Sequence, residues 1–286
     1  MQLIHPPLST VEQALRHVRA LQVFPRVAER VRRVVDDQRS SLIELEEVVA
    51  MDPALAAQLL RVANSPFYGL SRRVSTIRQA ILILGFQQTR DLALALALAS
   101  VRGGLGQPGE LLWRHALHVG VACRWMSQAV RGVNPAEGFV VGLLHDVGHL
   151  MLLRLEGAAY GELLTRAHGN RLERPLTASE QELLGFTHAE LGAALLHEWC
   201  LPESVVLAIR HHHAPEALLD LSIDAFRQAC VLRLAECFVE ELELARDAEA
   251  AVQQMLRAPL ARSLGIRRTD LVGLVRHFDD ELDVWA

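Results

Sequence analysis

An all-α fold is predicted for this chain of 286 residues by three observations. Helix-start signatures recur along it, and no convincing strand pattern is present. Hydrophobic residues make up 51% of the chain while aromatics make up only 5%, which points to helices packed through Ala, Leu and Val. The length suffices for one large domain or two small ones with a sizeable core.

The elements follow in chain order. Ser41-x-x-Glu44 reads as a capping box, in which the Ser hydroxyl and the Glu carboxylate satisfy each other's backbone N–H groups at a helix start. Asp52-Pro53 places Pro in a first helical turn, where its missing N–H costs little. From Ala54 to Ala63 only Gln58 and Arg61 form a polar edge, so most of that helix should be buried. Asp91 to Leu98 alternates Leu and Ala with period two, nominally a strand pattern. Both residues are strong helix formers and Ala offers no solvent face, so the segment is predicted as a helix buried on nearly all sides. Gly103 to Gly109 is the clearest internal break and reads as a connection between two helical lobes. Asn134-Pro135, Thr177-x-x-Glu180 and Leu201-Pro202 open further helices, and a weaker break near Arg246-Asp247 precedes a C-terminal segment.

Composition narrows the function classes. The formal net charge of −5 argues against a general nucleic-acid binder, and all 29 basic residues are Arg. The clusters Arg30/Arg32/Arg33 and Arg72/Arg73/Arg78 read first as solvated helix faces, with phosphate or carboxylate contact as the alternative. Cys123, Cys200, Cys230 and Cys237 are scattered without a Cys-x-x-Cys pair, so reduced thiols are expected. No apolar run is expected to approach the length of a membrane span, and no signal-peptide core is seen around His5-Pro6-Pro7. A cytoplasmic location without membrane contact is the expectation.

The chemistry concentrates in Gly142-Leu143-Leu144-His145-Asp146-Val147-Gly148-His149. An adjacent His-Asp pair sits there inside what reads as an apolar helix. Burying such a pair costs several kcal/mol, roughly, unless a partner or metal compensates. Imidazole and carboxylate donors suit a divalent transition metal, and one carboxylate can bridge two ions. The alternative is a buried polar network in which Asp146 orients histidines without an ion. His149, four residues after His145, is read on the same helix face, as an added ligand or a general acid.

Several segments together resemble the HDOD family: Phe24-Pro25, Met51 to Leu55, Leu59 to Gly69, Ile77 to Gly85, Leu112 to His115, Gly142 to Gly148, and His212 to Pro215. The likeness covers roughly residues 15 to 240. It implies an all-helical bundle of HD-superfamily type with an N-terminal lobe specific to HDOD proteins. On that basis the lobes are expected at 1–104 and 105–245, with a helical extension at 246–286. The resemblance implies a signal-transduction or regulatory protein acting mainly through a protein partner. The alternative is a metal-dependent phosphohydrolase acting on a nucleotide or other phosphoester.

Mapped onto the HD-superfamily pattern, His115 matches the first ligand and His145 with Asp146 the signature pair. His188, His212 and His213 resemble the extra histidines of the HD-GYP branch, and Glu236 stands where the superfamily has a late Asp. The implied cofactor is one or two divalent ions, iron or manganese, with Asp146 and His149 as the catalytic candidates. Two departures weigh against cyclic-di-GMP hydrolysis. His149 replaces the Lys of the HD-GYP pattern, and Glu216-Ala217-Leu218-Leu219 stands where Gly-Tyr-Pro would be. His118 and His168 are read as packing or surface residues, and His211 as the solvent side of a helix end. Asn64 is read as a loop brace, with ligand contact as the alternative.

Overall fold

The computed structural model describes residues 10–20, 26–37, 39–51, 53–64, 68, 74–102, 104–168, 175–199, 201–245 and 247–285. Phe24-Pro25, Asp52, Ser65 to Phe67, Gly69, Arg72, Arg73 and Cys200, singled out in the sequence, lie outside the described residues. Among the described residues the regular structure is entirely helical. The α-helices are α1 (Val11–Ala20), α2 (Arg26–Asp36), α3 (Leu42–Ala50), α4 (Pro53–Ala63), α5 (Ile77–Arg102), α6 (Gly106–Ala129), α7 (Pro135–Leu144) and α8 (Val147–Glu156). They continue with α9 (Ala158–His168), α10 (Leu176–Leu184), α11 (His188–Glu198), α12 (Glu203–Arg210), α13 (Ile223–Ala245), α14 (Ala248–Met255), α15 (Pro259–Ser263) and α16 (Val272–Trp285).

Two hydrophobic cores organise the chain. The smaller gathers Val31, Leu45, Val49, Leu55, Leu59 and Ile81 from α2 to α5. The capping box at Ser41 forms as expected and starts α3. Asn64 braces the loop that follows α4. Its side-chain amide donates to the carbonyls of Leu60 and Val74, and its oxygen accepts from Val74 N–H at 2.7 Å. The larger core runs from α6 to α16. Ala14, Leu15 and Val18 of α1 pack into it as well, against α8 and α11, although the sequence placed α1 with the first lobe. The 246–286 segment joins it too, through Val252, Leu271, Leu274 and Phe278.

Helix α5 explains the Leu/Ala alternation. Leu92 and Ala93 belong to the smaller core and Leu94 and Ala95 to the larger, so the helix passes between the two and has no solvent side there. Gly85 interrupts the helix at φ +80°, a left-handed backbone that other residues adopt only at a cost. Beyond α5 the connector is shorter than the glycines suggested. Gln107, Pro108 and Gly109 already belong to the first turn of α6, where Pro removes no hydrogen bond.

Two further expectations are corrected. The stretch Glu137–Glu156 does have the length and mean hydropathy, 1.4, of a membrane span. It is mostly buried inside the protein and is bent in the middle, so its apolarity is that of a core element. Thr177-x-x-Glu180 does not cap α10. That helix starts at Leu176, two residues earlier than the box implies, behind Pro175, and no side-chain cap is made. The equivalent box lies ten residues on, where Thr187 and Glu190 cap α11.

Candidate metal centre

His145 and Asp146 occupy the bend between α7 and α8, so they lie at a break and not inside one continuous helix. His149 therefore stands on the first turn of α8, and the shared helix face expected for it with His145 does not exist. The Asp146 carboxylate makes no capping bond to α8 and faces a set of imidazoles instead. Gly148 lets this bend approach α11. A Cβ there would meet the His188 carbonyl oxygen at 2.0 Å, so any larger residue would push the two elements apart.

The two oxygens of Asp146 look in different directions. Oδ2 lies 3.2 Å from His145 Nε2 and 4.0 Å from His115 Nε2. Oδ1 lies 3.6 Å from His188 Nε2 and 3.7 Å from His149 Nε2. Glu236 of α13 closes the first group, with Oε1 at 3.6 Å from His145 Nε2 and 3.9 Å from His212 Nε2. His213 Nε2 meets His188 Nε2 at 3.0 Å. Every candidate ligand expected from the sequence is thus in one place. Three overlapping triads have donor atoms close enough to share an ion: His115/His145/Asp146, Asp146/His149/His188 and His188/His212/His213. His118 is elsewhere, edge-on to Phe278.

Four of these imidazoles are held by their other nitrogen. His145 Nδ1 donates to the Gly142 carbonyl at 2.7 Å and His212 Nδ1 to the Ile209 carbonyl at 2.6 Å. His188 Nδ1 donates to Glu180 Oε2 at 2.8 Å, and His149 Nδ1 faces the Tyr160 hydroxyl at 2.5 Å. A histidine tied at Nδ1 presents an Nε2 lone pair, the arrangement that outer partners impose on metal-ligating imidazoles. Glu180 and Tyr160 were missed by sequence reasoning. The available signal was the pair of Thr-x-x-Glu boxes only ten residues apart, of which one alone caps a helix.

The electrostatics call for positive charge at the centre. Burial alone would lower the His145 pKa, but Asp146 and Glu236 outweigh it and raise it to about 9. Burial opposes ionisation of Asp146, yet His145 and His149 hold its carboxyl well below the usual range. Burial, reinforced by neighbouring histidines, pushes His149 down to about 3 and His212 down as well, so these rings are neutral donors. His145 Nε2 and His212 Nε2 are buried without a hydrogen-bond partner. An orphaned buried nitrogen is costly in a purely structural network, and a divalent ion would satisfy it. The donor set therefore fits a transition metal.

A family model described as the HDOD domain matches residues 21–215. The chain belongs to the HDOD domain family. An uncharacterized protein of Treponema pallidum (strain Nichols) is 28% identical over 193 residues, a match that takes in 65% of this chain and 37% of that protein. The HDOD chain thus corresponds to less than half the length of that curated relative. A crystal structure from Shewanella amazonensis SB2B, provisionally named a phosphohydrolase, superposes with a TM-score of 0.74 over 97% of this chain and 96% of its own. At 24% identity that likeness establishes the fold alone. A Marinobacter aquaeolei VT8 structure, provisionally named a signal transduction protein, is 25% identical with a TM-score of 0.68 over 92% of this chain and 57% of its own.

Proposed function

We propose that this HDOD chain is a signal-transduction or regulatory module that holds one or two divalent ions in its larger lobe and acts mainly through a protein partner. The observation that carries the metal reading is the convergence of lone-pair-bearing Nε2 atoms around a split Asp146 carboxylate. His115, His145, Asp146 and Glu236 would hold one ion, and Asp146, His188, His212 and His213 the other. Neutral imidazoles with carboxylates suit iron or manganese. The regulatory role is supported by family membership and by the Marinobacter relative.

The second reading, a phosphohydrolase acting on a nucleotide or other phosphoester, is favoured by the partial exposure of the site. His115 is 22% exposed and His213 lies open to solvent, while His145, His188 and His212 are enclosed. When bound, the ions would supply Lewis acidity and lower the pKa of water. In that reading Asp146 positions the reacting groups through its two oxygens, and the enclosed histidines exclude bulk water. Arg233, 39% exposed and paired with Glu236 at 3.2 Å, places a guanidinium beside the centre that would neutralise phosphate charge.

Elemental analysis of protein purified without chelators tests the common element. Near-stoichiometric iron or manganese in the wild type, absent from Asp146→Ala, is expected. A phosphodiester screen of the loaded protein then separates the two roles. No metal after reconstitution with either ion would overturn both forms of the metal reading.

A further inference from the structure

The inference rests on the metal reading above and concerns a residue whose role that reading leaves open. His149 is 5% exposed, and its ring stacks on His188 with centroids 3.7 Å apart. Behind these two rings lies a buried hydrogen-bonded chain. Tyr160 Oη donates to Glu180 Oε1, and Glu180 Oε2 accepts both the His188 backbone N–H at 3.1 Å and His188 Nδ1–H at 2.8 Å. Glu180 and Tyr160 are both fully enclosed.

The direction of every proton in this chain follows from one fact. A carboxylate only accepts hydrogen bonds, and Glu180 Oε2 already receives two N–H groups of His188 while Oε1 faces the Tyr160 hydroxyl. Tyr160 must therefore give its single proton to Glu180. The contact between Tyr160 Oη and His149 Nδ1 then requires the proton to sit on His149 Nδ1. His188 is fixed in the same way by the other oxygen of Glu180. One carboxylate thus sets both rings, directly in one case and through a phenol in the other.

With Nδ1 committed to Tyr160, His149 turns Nε2 toward Asp146 Oδ1 at 3.7 Å, and its donor atom lies close enough to those of Asp146 and His188 to share an ion. We propose that His149 Nε2 is a further ligand on the Oδ1 side of Asp146, beside His188, and that Tyr160 and Glu180 are its positioning residues. Outer partners of this kind typically carry about 10- to 100-fold in metal affinity.

The test uses cobalt(II) as probe, titrated into the full-length chain after chelator treatment and followed by equilibrium dialysis and visible absorption. The variants are His149→Ala, Tyr160→Phe and His118→Ala, each with its helicity checked by circular dichroism. The wild type is expected to bind two ions. Tyr160→Phe, which removes only an oxygen, should keep one ion at wild-type affinity, bind the other about 10- to 100-fold more weakly and shift the cobalt absorption bands. His149→Ala should weaken the same ion more than Tyr160→Phe does. His118→Ala should change neither. Two ions bound by His149→Ala with wild-type affinity and spectrum would overturn the ligand role. A Tyr160→Phe spectrum identical to wild type would overturn the positioning role. Absence of cobalt binding by the wild type itself would instead contradict the metal reading on which the inference stands.

Discussion

The two lobes solve opposite packing problems. The fully buried residues of the smaller core, among them Leu45, Leu55, Leu59 and Ile81, are aliphatic, and polar bonds such as the Ser41 cap and the Asn64 brace sit around them. The larger lobe encloses His145, His149, Glu180, His188, His212 and Glu236 at 5% exposure or less. Burying that many ionisable groups weakens a fold unless each is paired or bound to an ion. The first lobe is therefore packed as a plain hydrophobic core, while the second carries the cost of enclosing ionisable groups. Between them runs α5, whose Asp91 is 1% exposed and pairs with Arg90 of the same helix at 2.9 Å and with Arg124 of α6 at 3.7 Å.

This contrast can be broken most severely at Asp146. Asp146→Asn keeps the shape of the side chain but removes the charge that both histidine groups face. Metal content by plasma mass spectrometry should fall to background while the helical circular dichroism signal persists. Retention of stoichiometric metal would show that the second lobe does not depend on this carboxylate.

Leu59→Ala probes the other lobe. Leu59 is fully buried, so its truncation should cost about 2–5 kcal/mol of stability in denaturant unfolding. Metal content per folded chain should be unchanged. A matched loss of metal would mean that the lobes are less separate than their cores suggest.

Saturation with metal should act in the opposite sense. At free manganese a hundredfold above Kd, linkage stabilises the folded chain by about 2.7 kcal/mol, so Tm should rise by several degrees and fall back on chelation. The Asp146→Asn protein should show no such rise.

The smallest effects give the sharpest comparison, because each lobe contains the same device. Ser41 caps α3 and Thr187 caps α11, each in a complete capping box. Ser41→Ala and Thr187→Ala should each cost about 1 kcal/mol. Only Thr187→Ala should also weaken metal binding, since His188 is the first residue of the helix it caps. Equal metal affinity in both variants would argue that α11 does not position His188.

How much of this was legible in the sequence depended on the range of the interaction. The helical class, the Ser41 cap and the burial of Leu92 to Ala95 follow from local propensity and capping chemistry, and they hold. His115, His145, Asp146, His188, His212, His213 and Glu236 were identifiable by type and family resemblance, and the fold brings them within reach of one another. The bend at His145-Asp146 was not read, because the apolar residues on both sides of the pair look like one continuous helix. Glu180 was misread because a Thr three residues upstream supplied a better local explanation than a histidine eight residues downstream. Tyr160 carries no local mark at all. Its role exists only through Glu180 and His149.

The most direct test of the metal centre is anomalous diffraction at the iron and manganese absorption edges from crystals of protein purified without chelators. The account predicts difference peaks on both sides of Asp146, one bounded by His115, His145 and Glu236 and the other by His188, His212 and His213. Ordered water or an empty pocket at both positions, in crystals soaked with either ion, would contradict it and leave the histidines as a buried hydrogen-bonded network.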